Sequence, residues 1–335
     1  MELSTRYLGL ALRNPLVAAA SPLSQTVDGV RRLADAGVGA VVLYSLFEEQ
    51  LHREAEQNAR RAEAGAEGFA EALSYFPAGA GEDHGPRRYL SLLERAASAV
   101  SVPVIGSLNG STPGSWARYA RSMQDCGAAA VELNIYYLPG DPHICGREVE
   151  QRHLDILARV KDAVTVPVAV KLSLYFSATA EMVRRLDEAG ADGLVLFNRF
   201  LQPDIDPESL TVVRRVSLST REEIRLPLTW IALLRGRVGA SLAATTGVEG
   251  AAELIKYLLA GADVVMTASA LLRHGPEHAG TLLDGLCEWM GRKGYATVEQ
   301  LRGLLTKPVG DETTRERGDY VSTLRQANSA DYGPW

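Results

Sequence analysis

The 335-residue chain places side chains that can bind or move protons at the ends of short apolar runs. Asn134 closes AVELN (130–134), and a loop holding Tyr136, Tyr137, a Pro-Gly-Asp-Pro turn, His143 and Cys145 follows it. An asparagine amide can orient a planar heterocycle or simply hold its own loop. A tyrosine hydroxyl can donate or accept a proton, but an unperturbed phenol titrates near pH 10, which suits protonating a substrate better than deprotonating one. His143 is an alternative acid or base. Lys171 stands inside a second apolar run, VPVAVKLSL (166–174). An ammonium buried without a partner is expensive, so it faces a cofactor, serves as a Schiff-base amine, or pairs with a strand-end carboxylate such as Glu132.

The same placement recurs at Ser21, Tyr44-Ser45, Asn109, Asn198, Thr245-Thr246-Gly247 and Thr267-Ala268-Ser269. TTGVEG and TASALL each lead toward a helical pattern. Their small residues and hydroxyls suit a phosphate, though ordinary turns and caps use the same residue types. The six histidines show no metal-ligand spacing, and His153 falls in a helical stretch read as surface. Cys126, Cys145 and Cys287 form no CxxC, so no metal, iron–sulphur cluster or disulfide framework is expected.

These positions need a scaffold, and a repeated phrase supplies it. AGVGAVVL (36–43), CGAAAVEL (126–133), AGADGLVL (189–196) and AGADVVMT (260–267) each put glycine after a helical pattern and an apolar run after the glycine. Glycine stops the helix and the chain enters a buried parallel strand. The eight expected strands are 17–20, 40–44, 104–107, 130–134, 168–172, 193–197, 242–245 and 264–267. Helical patterns between most of them (28–36, 86–99, 115–125, 146–163, 179–189 and 249–259) make the fold class α/β, a (β/α)8 TIM barrel. An open doubly wound sheet would need a G-x-G-x-x-G after its first strand, which is missing. A short N-terminal hairpin (1–15) crosses the barrel bottom, one more helix follows residue 291, and long connections at 46–85 and 198–241 leave the C-terminal face. The division is one barrel domain, 1–310, and a polar C-terminal tail, 311–335.

A formal net charge of −6 and short basic clusters argue against nucleic acid. No secretory signal is seen, and no run approaches the roughly 18 apolar residues that span a bilayer. A cytoplasmic protein with no membrane partner is expected.

Taken together, the strand-end residues resemble a known family, the flavin mononucleotide (FMN) barrels of dihydroorotate dehydrogenase, extending to the flavin domain of dihydropyrimidine dehydrogenase. The likeness runs from RNPLVAAASP (13–22) to TASALLRHGP (267–276) and is most specific at VELN, PVAVKLSLYFS and Asn198. It implies FMN held by Ala20, Ser21, Ser45, Asn109, Asn134, Lys171, Asn198, Thr246, Gly247, Ala268 and Ser269, and a homodimer. It departs from the family at the positions that would face orotate. The family's Lys-Ser pair is Tyr44-Ser45 here. Its Ser-Cys-Pro-Asn run is IYYLPG, which sets Tyr137 at the base position and Pro139 where a substrate asparagine would be. Tyr75 stands near the place of another asparagine, and SLSTREEIRLP (217–227) replaces a glycine-rich loop.

The resemblance therefore implies an FMN-dependent oxidoreductase that moves hydride between flavin and a C–C bond beside a carbonyl, in a small substrate other than dihydroorotate, such as a cyclic amide or pyrimidine-like ring. Tyr137, Lys171 and Cys145 are the candidate catalytic residues, although Cys145 also reads as a small buried hydrophobe. Tyr44, Tyr75, Tyr136, Asn134, Asn198 and Arg199 are the candidate substrate contacts. The electron acceptor or donor is not named by the chain. Two alternatives stand beside this reading: a catalytically silent flavin-binding scaffold, and a Schiff-base lyase using Lys171.

Overall fold

The structure is a computed structural model that describes residues 1–51, 85–112, 114, 116–306 and 312–330, with the side chains of 312–316 and 327–330 left aside. Thr5–Tyr7 (β1) and Leu10–Leu12 (β2) pair antiparallel as the N-terminal hairpin. Eight parallel strands then close into a barrel: Leu16–Ala18 (β3), Ala40–Val42 (β4), Val104–Gly110 (β6), Ala130–Ile135 (β7), Val168–Leu172 (β8), Gly193–Leu196 (β9), Ser241–Ala244 (β12) and Val264–Thr267 (β13). β13 pairs with β3 and β4 pairs with β6, so no edge remains, and Leu46–Phe47 (β5) extends the pairing along β6. The expected TIM barrel and hairpin are both present.

Strand alternation sorts the core into two shells. Val41, Leu133, Val170 and Leu194 point outward and pack under the helices. These are Val27–Asp35 (α1), Pro86–Ala99 (α2), Trp116–Asp125 (α3), Gly146–Ala163 (α4), Thr179–Glu188 (α5), Arg225–Leu234 (α6) and Ala251–Ala260 (α7). Ser269–His274 (α8), His278–Lys293 (α9) and the single turn Val298–Leu301 (α10) follow β13. Val42, Ile105, Ala130, Ala169, Val195 and Ala243 point inward, and Tyr7, Leu8 and Leu12 of the hairpin join them. The barrel bottom is therefore plugged by side chains of its own N-terminal segment. Small inward residues leave room for that plug, and Gly193 marks the limit, because a Cβ there would collide with Leu8 Cδ2. Gly193→Ala should cost about 1–3 kcal/mol through overpacking, read as a lower urea midpoint at unchanged slope.

Two segments hold elements beyond those expected. The connection 198–241 is built, not loose: it holds the hairpin Asp204–Asp206 (β10) and Thr211–Val213 (β11), a 3-10 turn at Arg221–Ile224, and α6. Pro227 hides α6 in the sequence, yet in a helix's first turn proline removes no needed hydrogen bond. The region read as a polar tail holds a helix, Glu312–Ala330 (α11).

Candidate active site

The register of β6, β7 and β8 sets the site. Asn109 lies opposite Asn134, and Asn134 opposite Lys171, so three polar residues form one row across adjacent strands at the top of the barrel. The row below holds Ser107, Glu132 and Ala169. Asn198, just past β9, reaches back so that its Nδ2 donates to Asn134 Oδ1 at 2.7 Å. Each asparagine thereby holds its neighbour, and the other ends of both amides have no protein partner among the described residues.

Lys171 ends its strand beside a carboxylate it barely touches. Its Nζ lies 4.0 Å from Glu132 Oε1, with the two side chains 11% and 1% exposed. Among the described residues Glu132 Oε1 has no hydrogen-bond partner. Nor does the Lys171 ammonium. Burial raises the Glu132 pKa, and Lys171 lowers it by less. A folded-state pKa above the unfolded one stabilises the fold at low pH, a contribution lost as pH rises through the folded value. The stability difference between Glu132→Gln and the parent, measured by urea unfolding across pH, should therefore shift in the variant's favour as pH rises above about 4, where the unfolded carboxyl loses its proton. This shift stands against a constant cost from leaving the Lys171 ammonium without its counter-charge.

Above Lys171 a cavity of about 140 Å³ opens, lined by Ala20, Lys171, Asn198, Arg199, Ser219, Thr246, Gly247, Ala268 and Ser269 among others. Its far end is made of backbone bent back on itself. Thr246 and Gly247 have φ of +81° and +76°, a conformation that glycine adopts freely and a β-branched residue does not. Tyr257 clamps this turn from α7, its hydroxyl donating to the carbonyls of Thr245 (3.1 Å) and Thr246 (2.8 Å). Ser219 bridges the loops: its Oγ accepts from Gly247 N (3.2 Å) and bonds Ser269 Oγ (2.9 Å). Arg273 holds Ser219 through its carbonyl and pairs with Glu249. Burial tends to raise the Glu249 pKa, but His274 and Arg273 together hold it below its ordinary value.

The structure brings Ala20, Lys171, Asn198, Arg199, Thr246, Gly247, Ala268 and Ser269 around one cavity. Asn109 and Asn134 adjoin it through the row. Ser45 is buried against Ser107, with the two Oγ atoms 2.9 Å apart, and Ser21 is buried at the start of a 3-10 turn. Tyr44 packs edge-on against Tyr89 at 5.1 Å. Tyr136 follows Asn134 on the inward face, while Tyr137 turns the other way, its ring 4.1 Å from the Arg152 guanidinium of α4. Cys145 is exposed and caps α4, so it is not the buried hydrophobe considered above. His143 is exposed, its backbone N–H bonded to Asp141. Tyr75 lies outside the described residues. His153, read as a surface residue, is 2% exposed and packs edge-on against Phe176. Ser219 was missed because its segment reads only as a glycine loop replaced; the Thr220–Glu223 capping box beside it was the available sign of built structure.

Among the described residues, no helix is long and apolar enough to cross a membrane. The family model described as dihydroorotate dehydrogenase matches residues 2–290. A relative from Methanothermobacter thermautotrophicus, named dihydroorotate dehydrogenase B (NAD(+)), catalytic subunit, is 26% identical over 314 residues, covering 90% of this chain and 98% of its own. A relative of the same name from Methanocella arvoryzae is 28% identical over 317 residues, covering 92% and 99%.

Proposed function

The chain belongs to the dihydroorotate dehydrogenase family, and from that premise we propose that it is an FMN-dependent oxidoreductase acting on a carbon–carbon bond beside a carbonyl in a small substrate other than dihydroorotate. The observation that carries the cofactor is Lys171, a buried cation without a hydrogen-bond acceptor among the described residues, in a cavity whose other end is a glycine turn lined by hydroxyls. That donor set fits a ligand with an electron-rich heterocycle at one end and a phosphate at the other. Lys171 and the row of asparagines would hold the ring edge. Thr246, Gly247, Ala268, Ser269 and Ser219 would hold the phosphate. Bound FMN would supply two-electron hydride exchange with the substrate carbon.

The protein's own part is orientation and charge. Lys171, backed by Glu132, would supply a fixed positive charge to the ring edge, and Asn134 and Asn198 hold each other in register. The proposal includes a cytoplasmic homodimer and a separate electron partner. The relatives' names describe a catalytic subunit, which supports a partner on another protein. FMN titration of the purified protein tests the reading. A flavin spectrum with stoichiometric binding supports it, and protein that neither carries nor takes up FMN refutes it.

One observation favours a second reading, a flavin-binding protein that does no chemistry. Of the three candidate catalytic side chains only Lys171 lines the cavity, while Tyr137 and Cys145 lie on the α4 side. Photoreduced protein that no carbonyl compound reoxidises faster than oxygen does would select that reading.

A further inference from the structure

A second layer sits above the polar row. Tyr136 comes two residues after Asn134, Phe200 two after Asn198, and Tyr175 four after Lys171. The Tyr136 amide still bonds Gly110 O at 2.9 Å, so the strand ladder continues and Tyr136 keeps the inward parity of Asn134. Its ring stacks on Phe200, with centroids 4.1 Å apart and planes at 23°, and Tyr175 meets the same ring at 5.3 Å. Leu201 N donates to the Tyr136 hydroxyl at 2.9 Å, which fixes the stack from above. Leu138, Leu174 and Leu201 flank it with exposed apolar surface. Asn134, Asn198 and Lys171 are thus each followed within four residues by an aromatic ring.

Charge in this region is already committed. The cations lining the cavity are Lys171 and Arg199. Lys171 stands in the row of Asn134, 4.0 Å from Glu132. Arg199 is held by Glu223 at 2.9 Å and by the Ser217 carbonyl. Both cations that line the cavity therefore already have a carboxylate beside them. A carboxylate brought there would lose hydration and compete with Glu132 and Glu223 for those two cations, whereas a flat uncharged ring would gain stacking contact.

We propose that Tyr136, Phe200 and Tyr175 form a substrate shelf that selects planar, uncharged, unsaturated carbonyl compounds against carboxylated ones. This rests on the flavin reading above, since the shelf faces substrate only if the polar row faces cofactor. Such a shelf would make orotate, an anion, a poor occupant.

Equilibrium dialysis of the FMN-loaded protein against two matched pairs tests it: coumarin with coumarin-3-carboxylate, and uracil with orotate. The uncharged member of each pair should bind at least about tenfold more tightly. Phe200→Leu keeps apolar volume but removes the ring, and it should weaken coumarin about tenfold while leaving FMN affinity unchanged; Tyr175→Ala should act the same way. Equal or tighter binding of the carboxylated members, or coumarin affinity unmoved by both substitutions, overturns the shelf. Dialysis needs no flavin signal, so the two failures separate. Protein that takes up no FMN sinks the cofactor reading, and FMN-loaded protein that prefers orotate sinks the shelf alone.

Discussion

Lys171→Met is expected to cost the fold about 3–5 kcal/mol at neutral pH, because it leaves Glu132 buried without its counter-charge. Glu132 is 1% exposed, and its Oε1 has no hydrogen-bond partner among the described residues. The double variant Lys171→Met/Glu132→Gln removes both charges and should recover most of the loss in urea unfolding. Recovery of fold and recovery of function then part company. A charge-assisted hydrogen bond contributes about 1.5–3 kcal/mol, so the double variant should still bind FMN about tenfold to a hundredfold more weakly. If it binds FMN as the parent does, Lys171 is a structural ion-pair residue and the cofactor assignment of this strand end fails.

Gly247→Ala is the second large expected effect. The residue has φ of +76°, and a Cβ there would lie 2.8 Å from Ile224 N and 3.0 Å from Thr220 O. Both are backbone atoms, which cannot rotate away as a side chain would. A left-handed alanine alone costs about 1–2 kcal/mol. Pushing the Thr220–Ile224 turn aside also moves Ser219, which bridges Gly247 and Ser269. Loss of FMN affinity by about a hundredfold is expected, equivalent to about 2.7 kcal/mol, together with a lower unfolding midpoint. Gly140→Ala is the control, since nothing lies within 4 Å of a Cβ there, and it should leave both quantities unchanged. Unaltered FMN binding in Gly247→Ala would show that the turn is not the phosphate cradle.

The barrel was legible because its signal is local and repeated. A glycine that ends a helix before an apolar run states the same rule four times, and the strand at 264–267 falls where the pattern puts it. Lys171 was legible for a related reason: an ammonium inside a buried strand is anomalous in sequence alone. What stayed hidden depends on direction and on distant partners. Tyr136 and Tyr137 are adjacent and chemically identical, and only the strand ladder continuing to Gly110 decides which faces the barrel. The mutual amide bond of Asn134 and Asn198 joins residues 64 positions apart. Ser219 reaches the cavity only because β10, β11 and α6 give its loop a shape, and the proline inside RLPLTWIALL conceals that helix. His153 reads as surface from a helix dominated by charges, yet it lies on the one stripe that packs inward with Val149, Ile156 and Val160.

The hairpin at the barrel bottom has a consequence for how the chain comes apart. Thr5 Oγ1 donates to Asp263 O, and Arg302 bonds both Thr5 and Asp263. Glu2 pairs with the segment beginning at Thr297. Residues almost three hundred positions apart are thus stitched into a near-closed ring that passes through the barrel's own floor. The entropy of closing so long a loop grows only with the logarithm of its length, but it is paid in one step. Fraying from either side of the stitch exposes Tyr7 and Leu8 together, so the floor should exchange its amide hydrogens as a single cooperative unit at close to the free energy of global unfolding.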